Sequence, residues 1–104
     1  MMSRVLIIGS VMKAPQHVDA KTIVFQVVSK TGDHVSRPIV FHVSASGRLA
    51  QEFFDLKRGN EVMIDASFKT TSQGNPVLHR YPDGKPYVQF DVVAEVISKI
   101  KIPP

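Results

Sequence analysis

The chain has 104 residues, 43% hydrophobic and 21% charged, the balance of an ordinary globular protein with material for one domain, 1–104, and not two. No apolar run approaches a membrane span, and with no cysteine the disulfides and the thiolate-held zinc and iron–sulfur centres are excluded, which fits a reducing cytoplasm. Thirteen Lys and Arg against nine Asp and Glu leave a formal net charge of +4, a basic excess suited to a polyanionic partner.

Met1 to Val11 has Arg4 alone ahead of an apolar run that stops at Gly9 and Ser10, too short for a secretory signal, so it reads as mature folded chain. The first strand is expected from Arg4 to Met12, ended by Ala14-Pro15, with Gly9 allowing the bend or bulge that a small closed barrel needs. The second, Thr22 to Ser29, sets Ile23, Phe25 and Val27 on one face and Val24, Gln26 and Val28 on the other, where a partner can be met.

After the turn residues Thr31-Gly32-Asp33, the third strand is expected from Arg37 to Val43, with Ile39, Phe41 and Val43 on one face and Pro38, Val40 and His42 on the other. Pro38 cannot donate to a ladder and belongs at a strand start or edge. A helix follows from about Gly47 to Lys57, with Ser46 as its cap, Leu49, Phe53 and Leu56 in one apolar stripe, and Ala50 and Phe54 widening it. Lys57 and Arg58 complement its dipole and Gly59 is expected to end it.

Asn60 to Thr70 alternates, Val62, Ile64, Ala66 and Phe68 facing one way and Met63, Asp65, Ser67 and Lys69 the other. From Thr71 to Pro86, a stretch with Gly74, Pro76, Pro82, Asp83-Gly84 and Pro86 predicts a projecting irregular hairpin. The last strand, Tyr87 to about Ile100, turns Val88, Phe90, Val92 and Ala94 inward and Tyr87, Gln89, Asp91 and Glu95 outward.

Three strands, a helix and two strands is the order of the all-β, five-stranded OB-fold barrel, whose helix closes the bottom between strands three and four. Other small barrels, the SH3-like type among them, accept five strands, and the position of the helix favours the OB arrangement. Phe25, Phe41, Phe53, Phe68 and Phe90 then fall to the core, while Phe54 suits core or surface.

Ser3-Arg-Val-Leu-Ile-Ile-Gly9 followed by Ala14-Pro15 resembles the opening strand of bacterial single-stranded DNA-binding proteins. The run from Gly47 to Thr70 is similar to that family's helix, its Lys/Arg-Gly stop and its fourth strand, and Val92-Val93 to the end of its last strand. The resemblance implies an OB fold, sequence-independent binding of single strands, and assembly into dimers or tetramers. It also exposes departures. The tryptophans and phenylalanine on which that family stacks bases fall at Ser36, near His42 and near Gln73, and Lys99 to Pro104 is short and basic where the family carries an acidic tip that recruits other proteins. Such departures point to the primosomal replication protein N branch, or to a phage, plasmid or integrative-element version.

Single strands are held by cations along the phosphates and planar groups on the bases. Lys69, His79, Arg80, Tyr81, Lys85 and Tyr87 interleave both kinds in the hairpin, and Lys30, His34, Arg37 and His42 are expected to flank the groove near the second and third strands. His17, His34, His42 and His79 lack metal-ligand spacing, and no phosphate loop, nucleophile elbow or acid pair is present, so neither metal, cofactor nor catalysis is expected. The expected function is binding of single-stranded DNA in replication, recombination or DNA transfer, alongside other replication proteins. The rival is an OB-fold assembly subunit with little DNA affinity; RNA binding ranks lower because the aromatic motifs of cold-shock and RRM proteins are missing.

Overall fold

In a computed structural model, residues 4–29, 39–75, 78–80 and 88–100 are described, 78–80 and Val88 by their backbone. The elements are β1 (Arg4–Asp19), β2 (Thr22–Ser29), β3 (Ile39–Ser46), α1 (Arg48–Phe53), β4 (Glu61–Phe68), β5 (Leu78–Arg80) and β6 (Val88–Lys99). They form one sheet in the order β3-β2-β1-β4-β6-β5. A parallel pairing of β3 with β6, from Ile39↔Val88 to Ser44↔Val93, closes five of these strands into a barrel. The three-residue β5 takes up the edge of β6 where β4 leaves it: Phe68 is opposite Val92, and Leu78 opposite Phe90. A closed five-stranded barrel with one short helix between the third and fourth strands is an OB fold.

Period-two alternation builds the interior. Ile7 and Val11 of β1, Ile23, Phe25 and Val27 of β2, Val62, Ile64 and Ala66 of β4, and Val92, Ala94 and Ile97 of β6 are all buried in one cluster. Where β3 and β6 begin, Phe90 stacks on Phe41 with ring centroids 6.1 Å apart and meets Phe68 edge-on at 5.5 Å. After β3 ends, Ala50 and Leu56 are buried against the same cluster and Leu49 and Phe53 pack on it, so the helical segment stoppers the other end. Five of the six phenylalanines thus serve the core as expected, and Phe54, 56% exposed, does not.

Several expectations need correcting. Ala14-Pro15 does not end β1, which continues to Asp19. Its pairing with β4 stops at Ser10↔Glu61, and beyond Val11 it follows β2 alone through register shifts, one of which passes over Ala14 and Pro15 between Lys13↔Gln26 and Gln16↔Val24. In a bulge, a residue without an N–H takes no bond from the ladder. Gly9, by contrast, sits in unbroken register with both β2 and β4, so its role is close backbone approach and not a bulge.

The helix is shorter than its apolar stripe predicts, six residues, with Gly47 at the N-cap (φ 63°) and no side-chain cap. Ser46 is occupied elsewhere, its Oγ 3.2 Å from Thr22 Oγ1 across the β2–β3 ladder. Gly59 (φ 93°) does not end the helix either. It lies in a later turn, where Asn60 N donates to Lys57 O and Gly59 N donates to Val11 O, tying the connection down onto β1.

β3 runs on past Val43 to Ser46; Arg37 and Pro38 lie outside the described residues, as does Tyr87 before β6. In β6 the alternation breaks after Ala94: Glu95 and Val96 are both exposed before Ile97 turns inward. The break is a bulge, with Asp65 opposite Val96 and Ala66 opposite Ala94, which leaves Glu95 as the extra residue.

Candidate nucleic-acid interface

Outward side chains of β2, β3 and β6 fall into rows set by register. One row runs Gln26–His42–Asp91, since Gln26 is opposite His42 in the β2–β3 pair and His42 opposite Asp91 in the parallel β3–β6 pair. Lys69 joins it from the end of β4, because its backbone N–H donates to the carbonyl of Asp91 at 2.9 Å. Lys69 is exposed, whereas Gln26, His42 and Asp91 are half-buried. The result is a polar band across four strands that alternates cationic or titratable groups with an acid and an amide. The next row, Val28–Val40–Gln89–His79, continues onto β5 by backbone pairing.

Of the residues expected to bind, the structure therefore brings His42 and Lys69 into one band and sets the backbone of His79 one row away, followed by Arg80 opposite Val88. Lys30, His34, Arg37, Tyr81, Lys85 and Tyr87 lie outside the described residues. Their anchor points are described. Ser29, where β2 ends, and Ile39, where β3 begins, bound the connection that carries Lys30 and Arg37; Arg80 and Val88 bound the one that carries Tyr81, Lys85 and Tyr87. Ile39 is the register partner of Val88, and Val88 of Arg80, so the strand ends that bound the two connections are adjacent, on the side of the polar band away from α1.

One expectation about this face is overturned. Alternation puts Val40 on an open outward face with His42, yet Val40 is 0% exposed, and Ser44, of the same parity, is 8% exposed with its Oγ donating to Val92 O at 3.3 Å. His42, between them, is half-buried. Gln26 and Asp91 are members of the band that sequence reasoning did not single out. The period-two parity of β2 and β6 already placed both outward, and the parallel β3–β6 seam that sets them beside His42 leaves no local mark in the sequence.

A second outward surface, on β1, β4 and β6, is apolar. Leu6 (61% exposed), Ile8, Met63, Val93 and Val96 (53%) lie across it, with Ile8 opposite Met63. Arg4 crosses this face, its guanidinium 3.0 Å from Asp65 and 2.6 Å from Glu95, and Ser67 Oγ donates to Glu95 at 2.9 Å. Among the described residues no group of three or more His, Asp or Glu is placed to hold a metal ion, and no helix is long and apolar enough to cross a membrane.

Solved structures with this fold include the small single-stranded DNA-binding protein of Streptomyces coelicolor, 16% identical to the chain, with TM-score 0.68 over 95% of this chain and 94% of that one. The mitochondrial single-stranded DNA-binding protein of S. cerevisiae superimposes with TM-score 0.67 at 13% identity, covering 97% of each chain. No protein-family model matches the sequence, and no curated protein matches it. At such identities the likeness establishes the fold: the OB barrel of this chain is built on the same path as theirs over nearly its whole length.

Proposed function

We propose that this chain is a non-catalytic protein that binds single-stranded DNA with little sequence preference, in DNA replication, recombination or transfer in the cytoplasm. The observation that carries the reading is that the strand ends Ile39, Val88 and Arg80, which bound the connections carrying Lys30 and Arg37 and Tyr81, Lys85 and Tyr87, are adjacent beside the Lys69–Asp91–His42–Gln26 band. Lys30, Arg37, Lys69, Arg80 and Lys85 take phosphates; His42, His79, Tyr81 and Tyr87 offer planar groups to the bases. That two solved proteins with nearly the same fold are single-stranded DNA-binding proteins supports the ligand class. With no tryptophan to stack on, binding leans on charge, which favours the primosomal replication protein N branch or a phage or plasmid version.

Changing Arg80 and Lys85 together to Ala tests the assignment. Removing one cation from a phosphate flattens the dependence of log K on log salt by about 0.7 for a single strand, so the pair is expected to reduce the slope by roughly 1.4. An unchanged slope and affinity would remove the hairpin from the site.

The apolar outer face of β1, β4 and β6 supports self-association, a dimer or tetramer in which Ile8 and Met63 are covered. A second reading, an assembly subunit that binds other replication proteins and little DNA, is favoured by the burial of Val40 and Ser44, which closes the middle of the groove face to a stacked base. The two readings part at low salt, where only the first gives tight binding.

A further inference from the structure

At the opposite end of β2 and β3 from Ser29 and Ile39, a hollow of about 580 Å3 opens between the β1–β2 turn and α1. Ala20, Ala50 and Phe54 give it apolar walls, and His17, Lys21 and Arg48 line it with an imidazole and two cations. Among the described residues no acidic side chain lines it. Asp19, next to Ala20, is turned back on its own turn, its Oδ1 accepting from Lys21 N at 2.8 Å, while Glu52 and Asp55, next to Gln51 and Phe54, are exposed outside the lining. The two walls are tied together, since Gly47 N donates to Lys21 O at 2.9 Å. Phe54 stands out in this chain as a phenylalanine 56% exposed, while the other five are buried or packed on the core.

An exposed ring beside cations on an apolar floor is the combination that holds a base by stacking and its flanking phosphates by charge. The position of the hollow adds to this. Thr22 and Ser46, the residues next to Lys21 and Gly47, are register partners and begin the outward rows that continue through Val24–Ser44 to Gln26–His42. Gln26 and Thr22 are four residues apart on β2, roughly 13 Å, so a single strand that lies along β2 connects the polar band to the hollow.

We propose that the hollow is a second contact for the same DNA strand, in which one base stacks on Phe54 and the neighbouring phosphates meet Lys21 and Arg48. The inference rests on the single-stranded DNA reading above and extends the path of the strand to the far end of the barrel. An acidic peptide with an apolar side chain has related chemistry; the strand is favoured because the row from the polar band leads into the hollow.

The chain has no tryptophan, so Phe54→Trp places one reporter in the hollow, at an exposed position whose change leaves the core intact. Anisotropy of labelled dT oligonucleotides of about 5 and about 15 nucleotides is measured beside the indole fluorescence, with a Glu-rich, Phe-bearing peptide as a third probe. The longer oligonucleotide is expected to quench the indole at the stoichiometry that anisotropy gives. Phe54→Ala is expected to weaken the longer oligonucleotide by about tenfold and the shorter by less than about twofold, and Arg48→Ala to flatten the salt slope for the longer one by about 0.7. The proposal is overturned if the unaltered protein binds the longer oligonucleotide while the indole stays unquenched and Phe54→Ala binds like it. It is equally overturned if the peptide alone moves the indole signal, which makes the hollow a peptide site. Absence of any dT binding by the unaltered protein is a distinct result that removes the DNA reading and this extension together.

Discussion

A Cβ built on Gly9 would stand 2.1 Å from the backbone carbonyl oxygen of Val28 and 3.0 Å from a methyl group of Val27. Since Gly9 is hydrogen-bonded into a ladder on both sides, neither strand has room to yield without breaking register with the next. Gly9→Ala is therefore expected to destabilise the barrel by about 2 kcal/mol or more, although it adds a single methyl group. Urea unfolding of the two proteins reads this directly, and coincident midpoints would contradict the close approach.

β4 offers a within-strand control. Ile64 is 0% exposed and its neighbour Met63 39%. Ile64→Ala is expected to cost about 2–5 kcal/mol through reduced burial and the cavity left behind, and Met63→Ala under about 1 kcal/mol in the isolated subunit. Equal losses in denaturant melts would mean that the inward and outward rows of this strand are misassigned.

The outer face of β1 and β4 supplies a prediction about assembly. Ile8 and Met63 are opposite one another there and both exposed. The nearby Arg4–Asp65–Glu95 ion pairs, with side chains 41–43% exposed, contribute at most about 1 kcal/mol to holding the fold and leave the apolar surface open. If the proposed dimer or tetramer forms through this face, Ile8→Glu with Met63→Glu is expected to give a folded monomer by light scattering. A species of unchanged mass with unchanged circular dichroism would exclude this face as the interface.

β2 and β4 were legible because each keeps strict period two and is bounded by turn residues; the expected limits of β2, Thr22 to Ser29, are those observed. The features that escaped depend on partners distant in sequence. Pro15 reads locally as a stop, and only the register shift against β2 explains why β1 passes through it. The helix ends at Phe53 because Leu56 and the turn to Gly59 are drawn onto the barrel and β1, a tertiary preference that overrides a stripe extending to Leu56. Glu95 looks like one more outward position in an alternating strand, and the bulge that makes it one appears once β4 is laid beside β6. For the site, parity alone placed His42 and Lys69 outward, whereas their meeting through Asp91 required the parallel closure of β3 on β6.

The most direct test of the central claim is fluorescence anisotropy of a labelled poly-dT oligonucleotide titrated with this protein at low and at physiological salt, beside a duplex of the same length. Single-strand binding that is tight at low salt, falls steeply as salt rises and leaves the duplex largely free is the expected result. No binding at low salt, or equal binding of both forms, would contradict a single-stranded DNA-binding protein; in the first case the OB barrel would be read as an assembly subunit.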